Sequence, residues 1–282
     1  MRSSLGRIAA PLILTLGICS AGMAIAAPCG GDFGSWLAAF GREAAAAGIS
    51  QRTVSAALSS VRHDPRVISL DRRQGAFKQS FEQFASTRVT AARLQRAQRL
   101  LSQHRATFNR IEQQLGVPAE IVVAIWGLET DFGANMGKHP TLNALATLAH
   151  DCRRSEFFQG QLLSALRIID RGDLSPAEMR GAWAGELGQT QFLPSSYERF
   201  AIDFDGDGRR NLIRSTADAL GSTANYLRGH GWSAGGSWSE GSQNFSVLRE
   251  WNRAQVYQRT IVLFASRLSG GAQASRPRAA AN

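Results

Sequence analysis

Residues 120–133 read EIVVAIWGLETDFG. From Ile121 to Leu128 the segment carries no charge, and a run apolar on every side of a 3.6-residue period belongs to a helix enclosed by protein. Val117-Pro118 sits ahead of it, with proline suited to the first helical turn. The run then ends in Glu129, and Gly133 breaks the chain soon after. Glutamate is among the residues least often fully buried without a partner. A carboxyl at this place loses solvation, which raises its pKa and lets it hold and deliver a proton near neutrality. A glutamate turned to water or paired with an arginine is the competing outcome, and the stretch alone leaves both open.

On either side of this segment the pattern is helical. Residues 35–115 are almost all helix formers, with Ser50 placed as an N-cap before QRTVSAAL. In the segment 90–116, Leu94, Leu101, Phe108, Ile111 and Leu115 recur at helical spacing, which predicts one long amphipathic helix ended by Gly116. Further helices are expected at TLNALATLAHD, SEFFQGQLLSALRIIDRG, PSSYERFAI, TADALGSTANYLRGHG and AQVYQRTIVLFASRL. Glycine-rich loops, GAWAGELGQTQF (181–192) and DFDGDGRRN (203–211), lie between them. Only SQNFSVL (242–248) reads as a brief strand, and no internal repeat is present. The fold class is mainly α. The organisation expected is a leader at 1–26, an N-terminal helical region at 27–116, a core at 117–268 and a tail at 269–282 with the composition of disorder.

The 282 residues, 44% of them hydrophobic, suffice for one large domain or two small ones. Arg2 and Arg7 precede an apolar stretch ending in Ala24-Ile25-Ala26, the pattern of a cleavable secretory signal. A retained membrane anchor is the rival, weakened by the short apolar core. A lipoprotein reading would centre on Cys19, but Ile18 stands where a small residue is expected. Without the leader's two arginines the formal charge falls from +10 to +8. A basic exported protein is steered towards polyanions such as an anionic cell wall, although 30 Arg against 2 Lys fits a compositional bias equally well. A nucleic-acid partner would lie in the wrong compartment. Cys29 and Cys152 remain after processing and form either a disulfide, in an oxidising compartment, or two free thiols.

Three blocks carry a family resemblance: AIWGLETDFGANMGKHPTLNALATLA, GAWAGELGQTQFLPSSYERFAIDFDGDGRRNL and DALGSTANYLRGHGW. In this order they resemble the successive signatures of the membrane-bound lytic murein transglycosylase B family, with similarity from about residue 31 to 268. The resemblance implies a lysozyme-like helical catalytic domain. It also implies cleavage of peptidoglycan glycan strands between N-acetylmuramic acid and N-acetylglucosamine. The 6-hydroxyl of muramic acid displaces the leaving group, so the product carries a 1,6-anhydro end and no water enters. Glu129 matches the family's single catalytic glutamate. Most glycosidases use two carboxyls, whereas here one group protonates the leaving oxygen and then deprotonates the attacking hydroxyl. A lysozyme-type hydrolase would use the same acid, and a peptidoglycan-binding protein with a lapsed site is the non-enzymatic alternative. Asp131, two residues on, points to another face of a helix and reads as surface or capping.

By the same resemblance, Gln191 lines the saccharide groove, where its amide both donates and accepts. Tyr226 stands at the active site, and Asn252 and Tyr257 close the far side of the groove. Arg153 and Arg154 match a pair near the cleft, where guanidinium could meet peptide-stem carboxylates. Trp126 reads as core, while Trp183 and Trp232 suit either core or sugar platform. Asp203, Asp205 and Asp207 stand at positions 1, 3 and 5 of an EF-hand-like loop, with Gly208 at 6 and the Arg209 carbonyl at 7. Arg214 occupies position 12, where a glutamate is usual, and Asp218 matches a family acid that completes a Ca²⁺ shell; the plain alternative is an Asp-rich turn. No organic cofactor is expected. Two departures stand out: Ala182 replaces a frequent serine, and the segment 233–250 is short. The resemblance implies a periplasmic monomer acting on glycan strands, with a cell-wall assembly or secretion complex as a possible partner.

Overall fold

The computed structural model describes residues 28–74 and 79–270, so the leader, Cys19 and tail residues 271–282 lie outside the described residues. In chain order the elements are α1 (Phe33–Ala46), α2 (Gln51–Leu58), α3 (Pro65–Arg73), α4 (Phe81–Arg88), α5 (Ala91–Gln103), α6 (Arg105–Leu115) and α7 (Ala119–Thr130). A two-residue strand β1 (His139–Pro140) follows, then α8 (Thr141–His150), α9 (Ser155–Asp170) and a second short strand, β2 (Arg180–Gly181). The chain continues through α10 (Pro194–Phe200), α11 (Thr216–Gly229), α12 (Gln243–Trp251) and α13 (Gln255–Leu268). The fold is mainly α, as its periodicity predicts. Starts follow local chemistry: side chains of Asp32, Ser50, Asp64, Ser80, Thr90, Ser215 and Ser242 each accept a backbone N–H of the helix they cap.

The sequence reading needs two corrections. The helix expected over 90–116 is broken at His104, whose backbone (φ −102°, ψ 24°) ends α5 and opens α6. The His104 ring meets Trp126 of α7 edge-on at 5.9 Å. The break lets α5 lie on α7 and α13 while α6 reaches α11; a change of direction at one residue leaves the apolar spacing on both sides intact. Residues 242–248, the one expected strand, belong instead to α12. Ser242 Oγ accepts the Phe245 N–H at 3.2 Å, and Phe245, Val247 and Leu248 are buried. Spacing of apolar residues in a short run does not separate the two states, and the cap decides.

Two apolar cores form. One joins α1, α2 and α3 to α8, α9 and α10, and the other joins α4, α5 and α6 to α7, α11, α12 and α13. Each draws residues from both sides of position 116, and Tyr226 and Trp251 pack against both. Cys29 and Cys152 are joined, with Cα atoms 5.2 Å apart, tying the chain ahead of α1 to the turn between α8 and α9 across 123 residues of sequence. β1 and β2 pair antiparallel, and bridges Gly181–Leu187 and Leu187–Phe192 extend the ribbon into the glycine-rich loop.

At the centre, α7 buries every residue from Ile121 to Gly127. Each large side chain among them contributes roughly 1.5–3 kcal/mol by burial. Gly127 is where α7 approaches α13 most tightly: a Cβ there would stand 2.8 Å from Phe132 and 2.9 Å from Phe264. Gly127→Ala is therefore expected to lower stability by roughly 1–3 kcal/mol through overpacking, read as a reduced Tm. An unchanged Tm would mean that the two rings shift freely.

Candidate active site

At the seam between the two cores lies a cavity of about 380 Å³. Its lining includes Glu129 from α7, Ala182, Trp183, Glu186, Gln191 and Phe192 from the glycine-rich loop, Tyr226 from α11, and Trp251 and Asn252 at the end of α12. Glu129 supplies its deepest acid. One carboxyl oxygen, Oε1, accepts from Tyr257 Oη at 2.6 Å and from Trp251 Nε1 at 2.9 Å. Burial raises its pKa to about 7, against these two donors, which favour the charged form, and with help from the charge of Glu186. A group with that value is nearly half protonated at neutrality, as proton donation and subsequent proton acceptance by one residue require.

The end of α7 is held in a costly backbone. Asp131 (φ 51°) and Phe132 (φ 58°) follow Glu129 in the left-handed region, which non-glycine residues seldom occupy. Arg93 Nε (3.1 Å) and a guanidinium nitrogen of Arg96 (2.9 Å) grip the Asp131 carboxylate, and Phe132 buries against Trp126 with ring centres 5.6 Å apart. Thr130 Oγ1 donates to the Gln189 carbonyl and accepts the Gly133 N–H. Among the described residues the one other non-glycine with positive φ is Gln191, at 55°. Gln191 lines the cleft and the other two directly follow the end of α7 that carries Glu129 into it, a region where strain of this kind commonly concentrates.

Gln191 donates through Nε2 to the carbonyls of Met136 (3.2 Å) and Gly188 (3.0 Å). Its amide oxygen therefore faces outward as an acceptor for the cavity. Gly181 permits this loop to fold on itself, since a Cβ there would stand 1.8 Å from the Glu186 carbonyl. Tyr226 Oη donates to the Glu250 carbonyl at 2.6 Å and makes no hydrogen bond to Glu129. Its ring stacks edge-on with Trp251 at 5.1 Å.

The structure thus gathers Glu129, Gln191, Tyr226, Asn252 and Trp183 at one cavity, and sets Tyr257 beneath it as a buried donor to Glu129 rather than at its far wall. Trp126 and Trp232 are buried in the core, and Asp131 is a clamp away from the cavity lining. Arg153 and Arg154, which the resemblance sets near the cleft, are not among its lining residues, although the Arg154 charge acts on Glu186 there. Both donate to the carboxylate of Asp71, which is 2% exposed. Burial pushes that carboxyl up, but the two guanidinium bonds outweigh it and hold it below its usual value. A buried carboxylate left unpaired would be strongly destabilising, so these two bonds serve the fold, while both arginine side chains stay partly exposed.

Sequence reasoning missed Trp251 and Glu186. Trp251 directly precedes Asn252, and nothing local distinguishes it from a core tryptophan. Glu186 lies between Gly185 and Gly188. Its Oε2 is enclosed without a hydrogen-bond partner among the described residues, and burial raises its pKa against its own N–H, the Arg154 charge and the Ala184 N–H. An acid flanked by two glycines was the available signal.

Beside the cleft, Asp203, Asp205 and Asp218 each bring a carboxylate oxygen within 4.8 Å of the others. Three converging carboxylates are a fitting donor set for a hard cation such as Ca²⁺. Asp207 lies outside this group and accepts the Arg209 N–H at 2.8 Å. Asp218 is fully buried and accepts the N–H groups of Phe204, Asp205 and Asn211. The Arg214 side chain turns instead towards Glu178.

Residues 32–241 match the family model described as Transglycosylase SLT domain. Over 135 residues the chain is 45% identical to membrane-bound lytic murein transglycosylase B of Escherichia coli (strain K12), an alignment that covers 48% of this chain and only 37% of that protein. Among solved structures, SltB3 from Pseudomonas aeruginosa in complex with NAG-NAM-pentapeptide superposes with a TM-score of 0.82 at 32% identity, covering 86% of this chain and 81% of that one. SltB3 is similarly matched in complex with NAG-anhNAM-pentapeptide, with a TM-score of 0.81. Escherichia coli Slt35, solved in complex with calcium, matches with a TM-score of 0.75 at 27% identity, covering 86% and 96% of the two chains.

The balance at Glu129 can be tested by carboxyl-carbon NMR titration. Tyr257→Phe removes a donor to the carboxylate and is expected to raise the pKa above about 7, by roughly half to one pH unit. Glu186→Gln removes the neighbouring acid and is expected to lower it. Shifts in the same direction would reject this electrostatic account.

Proposed function

The chain belongs to the transglycosylase SLT domain family, and from that premise we propose that it is a lytic transglycosylase cleaving the β-1,4 bond between N-acetylmuramic acid and N-acetylglucosamine in peptidoglycan. The observation carrying this reading is the Glu129 carboxyl, enclosed at the floor of a polar cavity, with two donors on one oxygen and a pKa of about 7. The SltB3 complexes with a disaccharide peptide and its anhydro form lend support from relatives.

In the first step Glu129 gives its proton to the glycosidic oxygen as the bond from that oxygen to muramic C1 breaks. Tyr257 and Trp251 stabilise the carboxylate left behind. In the second step the carboxylate takes the proton of the muramic 6-hydroxyl while its oxygen bonds to C1, closing the 1,6-anhydro ring and restoring the acid. Water is neither consumed nor released. Gln191, with both N–H groups held by backbone carbonyls, offers its oxygen to a sugar hydroxyl or acetamido N–H, and Asn252 and Tyr226 shape the opposite wall. A second reading, hydrolysis, draws on one specific observation: Glu186 is another carboxyl lining the same cleft, and glycosidases that recruit water use two.

Asp203, Asp205 and Asp218 are proposed to hold Ca²⁺, whose role is to neutralise three converging acids and staple the loop. That loop supports the cleft, because Gln189 N–H donates to the Leu212 carbonyl at 2.9 Å while Gln189's own carbonyl receives Thr130. An exported, cell-wall location is proposed with this activity; among the described residues no helix is long and apolar enough to cross a membrane.

Digestion of purified sacculi followed by mass analysis of the muropeptides is expected to give anhydromuramic ends. The rate should fall as pH rises through about 7, where Glu129 loses its proton, and Glu129→Gln should lower kcat by about 10²–10⁴-fold. Reducing ends would establish the hydrolase, and intact sacculi a binding protein. Added Ca²⁺ is expected to raise the Tm by mass action and a chelator to reverse it; a Tm indifferent to both would remove the ion from the loop.

A further inference from the structure

A second cavity, of about 720 Å³, opens between α3 and the chain entering β1. It is lined by Arg66, Ser69, Leu70, Arg73, Gly137, Lys138, His139 and Pro140, and no acid is among them. Arg66 is partly committed, since its Nε (3.0 Å) and one terminal nitrogen (3.1 Å) are given to Asp64. Among the described residues Arg73 gives only its Nε, to the Ser69 carbonyl at 3.1 Å, and the terminal nitrogens of its guanidinium have no partner there. Lys138, one of only two lysines in the chain, accepts Arg180 on its backbone carbonyl at 3.2 Å, while its ammonium makes no hydrogen bond or ion pair with any described residue. Leu70 and Pro140 give the cavity an apolar wall between these cations.

Two short backbone connections run from this basic cavity to the cleft. Gln74, the residue after Arg73, lines the cleft itself. On the other side Gly137 follows Met136, whose carbonyl receives Gln191. Gly137 also presses against the backbone of Gly181 and Ala182, the latter a lining residue of the cleft. A charged concavity with both guanidinium and ammonium donors, an aliphatic wall and no competing acid suits a flexible ligand bearing carboxylates.

We propose that this cavity binds the carboxylates of the acidic peptide stem that muramic acid carries on its lactyl group, holding the stem while the sugar occupies the cleft. The proposal rests on the cleft being a glycan-cleaving site. An extended stem of five residues spans about 17 Å, and the cavity adjoins the cleft through Arg73-Gln74 and Met136-Gly137. Arg73 and Lys138 provide the free charges, and Leu70 and Pro140 pack the alkyl portions of the stem.

The test compares Arg73→Gln/Lys138→Gln, a double variant of two exposed residues outside the cleft lining, with the parent protein on two soluble substrates. One is glycan chains bearing stems, and the other is the same chains stripped of stems by an amidase. On stem-bearing chains the variant is expected to raise KM roughly tenfold, the scale of one lost charged hydrogen bond, with kcat unchanged. On stripped chains both constants should match the parent. Equal effects on the two substrates, or none on stem-bearing chains, would overturn the proposal. If the parent cleaves neither substrate, the function reading fails separately, and the subsite is then judged by NMR titration of isolated stem peptide. Saturable shifts at Lys138 and His139 that inorganic phosphate at equal ionic strength does not reproduce would support it, whereas shifts that phosphate reproduces would reduce it to a general anion patch.

Discussion

A carboxyl group at the end of a helix that is apolar all round has no inexpensive place in a folded protein. Here Glu129 is kept there by what α7 buries before it and by two donors, Tyr257 and Trp251, that α12 and α13 carry to a single oxygen. Burial acts against the charged form and the donors act for it, and the outcome is a pKa of about 7. Remove the enclosure and the group is an ordinary acid; remove the donors and its charged form has no support. Packing of α7 against α13 therefore serves the chemistry as directly as it serves stability.

The strained turn after Glu129 belongs to the same arrangement. Two successive non-glycine residues with positive φ persist because Arg93 and Arg96 grip Asp131 and because Thr130 is tied to the Gln189 carbonyl. From Gln189 the support continues to Leu212 and then to Asp218, whose buried carboxylate gathers three backbone N–H groups of the acidic loop. The acidic loop is thereby connected to the end of α7 that carries Glu129, through the Thr130 hydroxyl, the Gln189 backbone and the Asp218 carboxylate. Function residues and fold residues are hard to separate along this route: Thr130 touches no cavity atom yet fixes where the acid sits.

Local sequence carried much of the outline. The cap at Ser50, the proline ahead of α7 and the glycine at 116 are short-range chemistry, legible without any fold. His104 was not legible as a break, since apolar spacing runs through it and the reason for the bend is a ring contact with Trp126, far along the chain. The cleft divided in the same way. Motif blocks pointed to Glu129, Gln191, Tyr226, Asn252 and Tyr257, whereas Trp251 had no distinguishing neighbours and Glu186 only the glycines on either side of it. The pairing of Arg153 and Arg154 with Asp71 was not legible, because that acid lies more than 80 residues away in sequence.

By itself the sequence determined that the chain is helical, that an apolar helix ends in a glutamate, and that a run of aspartates follows a glycine-rich loop. These are properties of spacing and residue type, set by interactions within a few positions. Only the tertiary structure decided that Tyr257 lies beneath Glu129 rather than across the groove, that the paired arginines neutralise a buried acid, and that a basic cavity opens beside the cleft. Each depends on which distant segments are brought within about 3 Å, the range over which a hydrogen bond or an ion pair acts, and contacts of that range between segments scores of residues apart leave no periodic trace in a linear sequence.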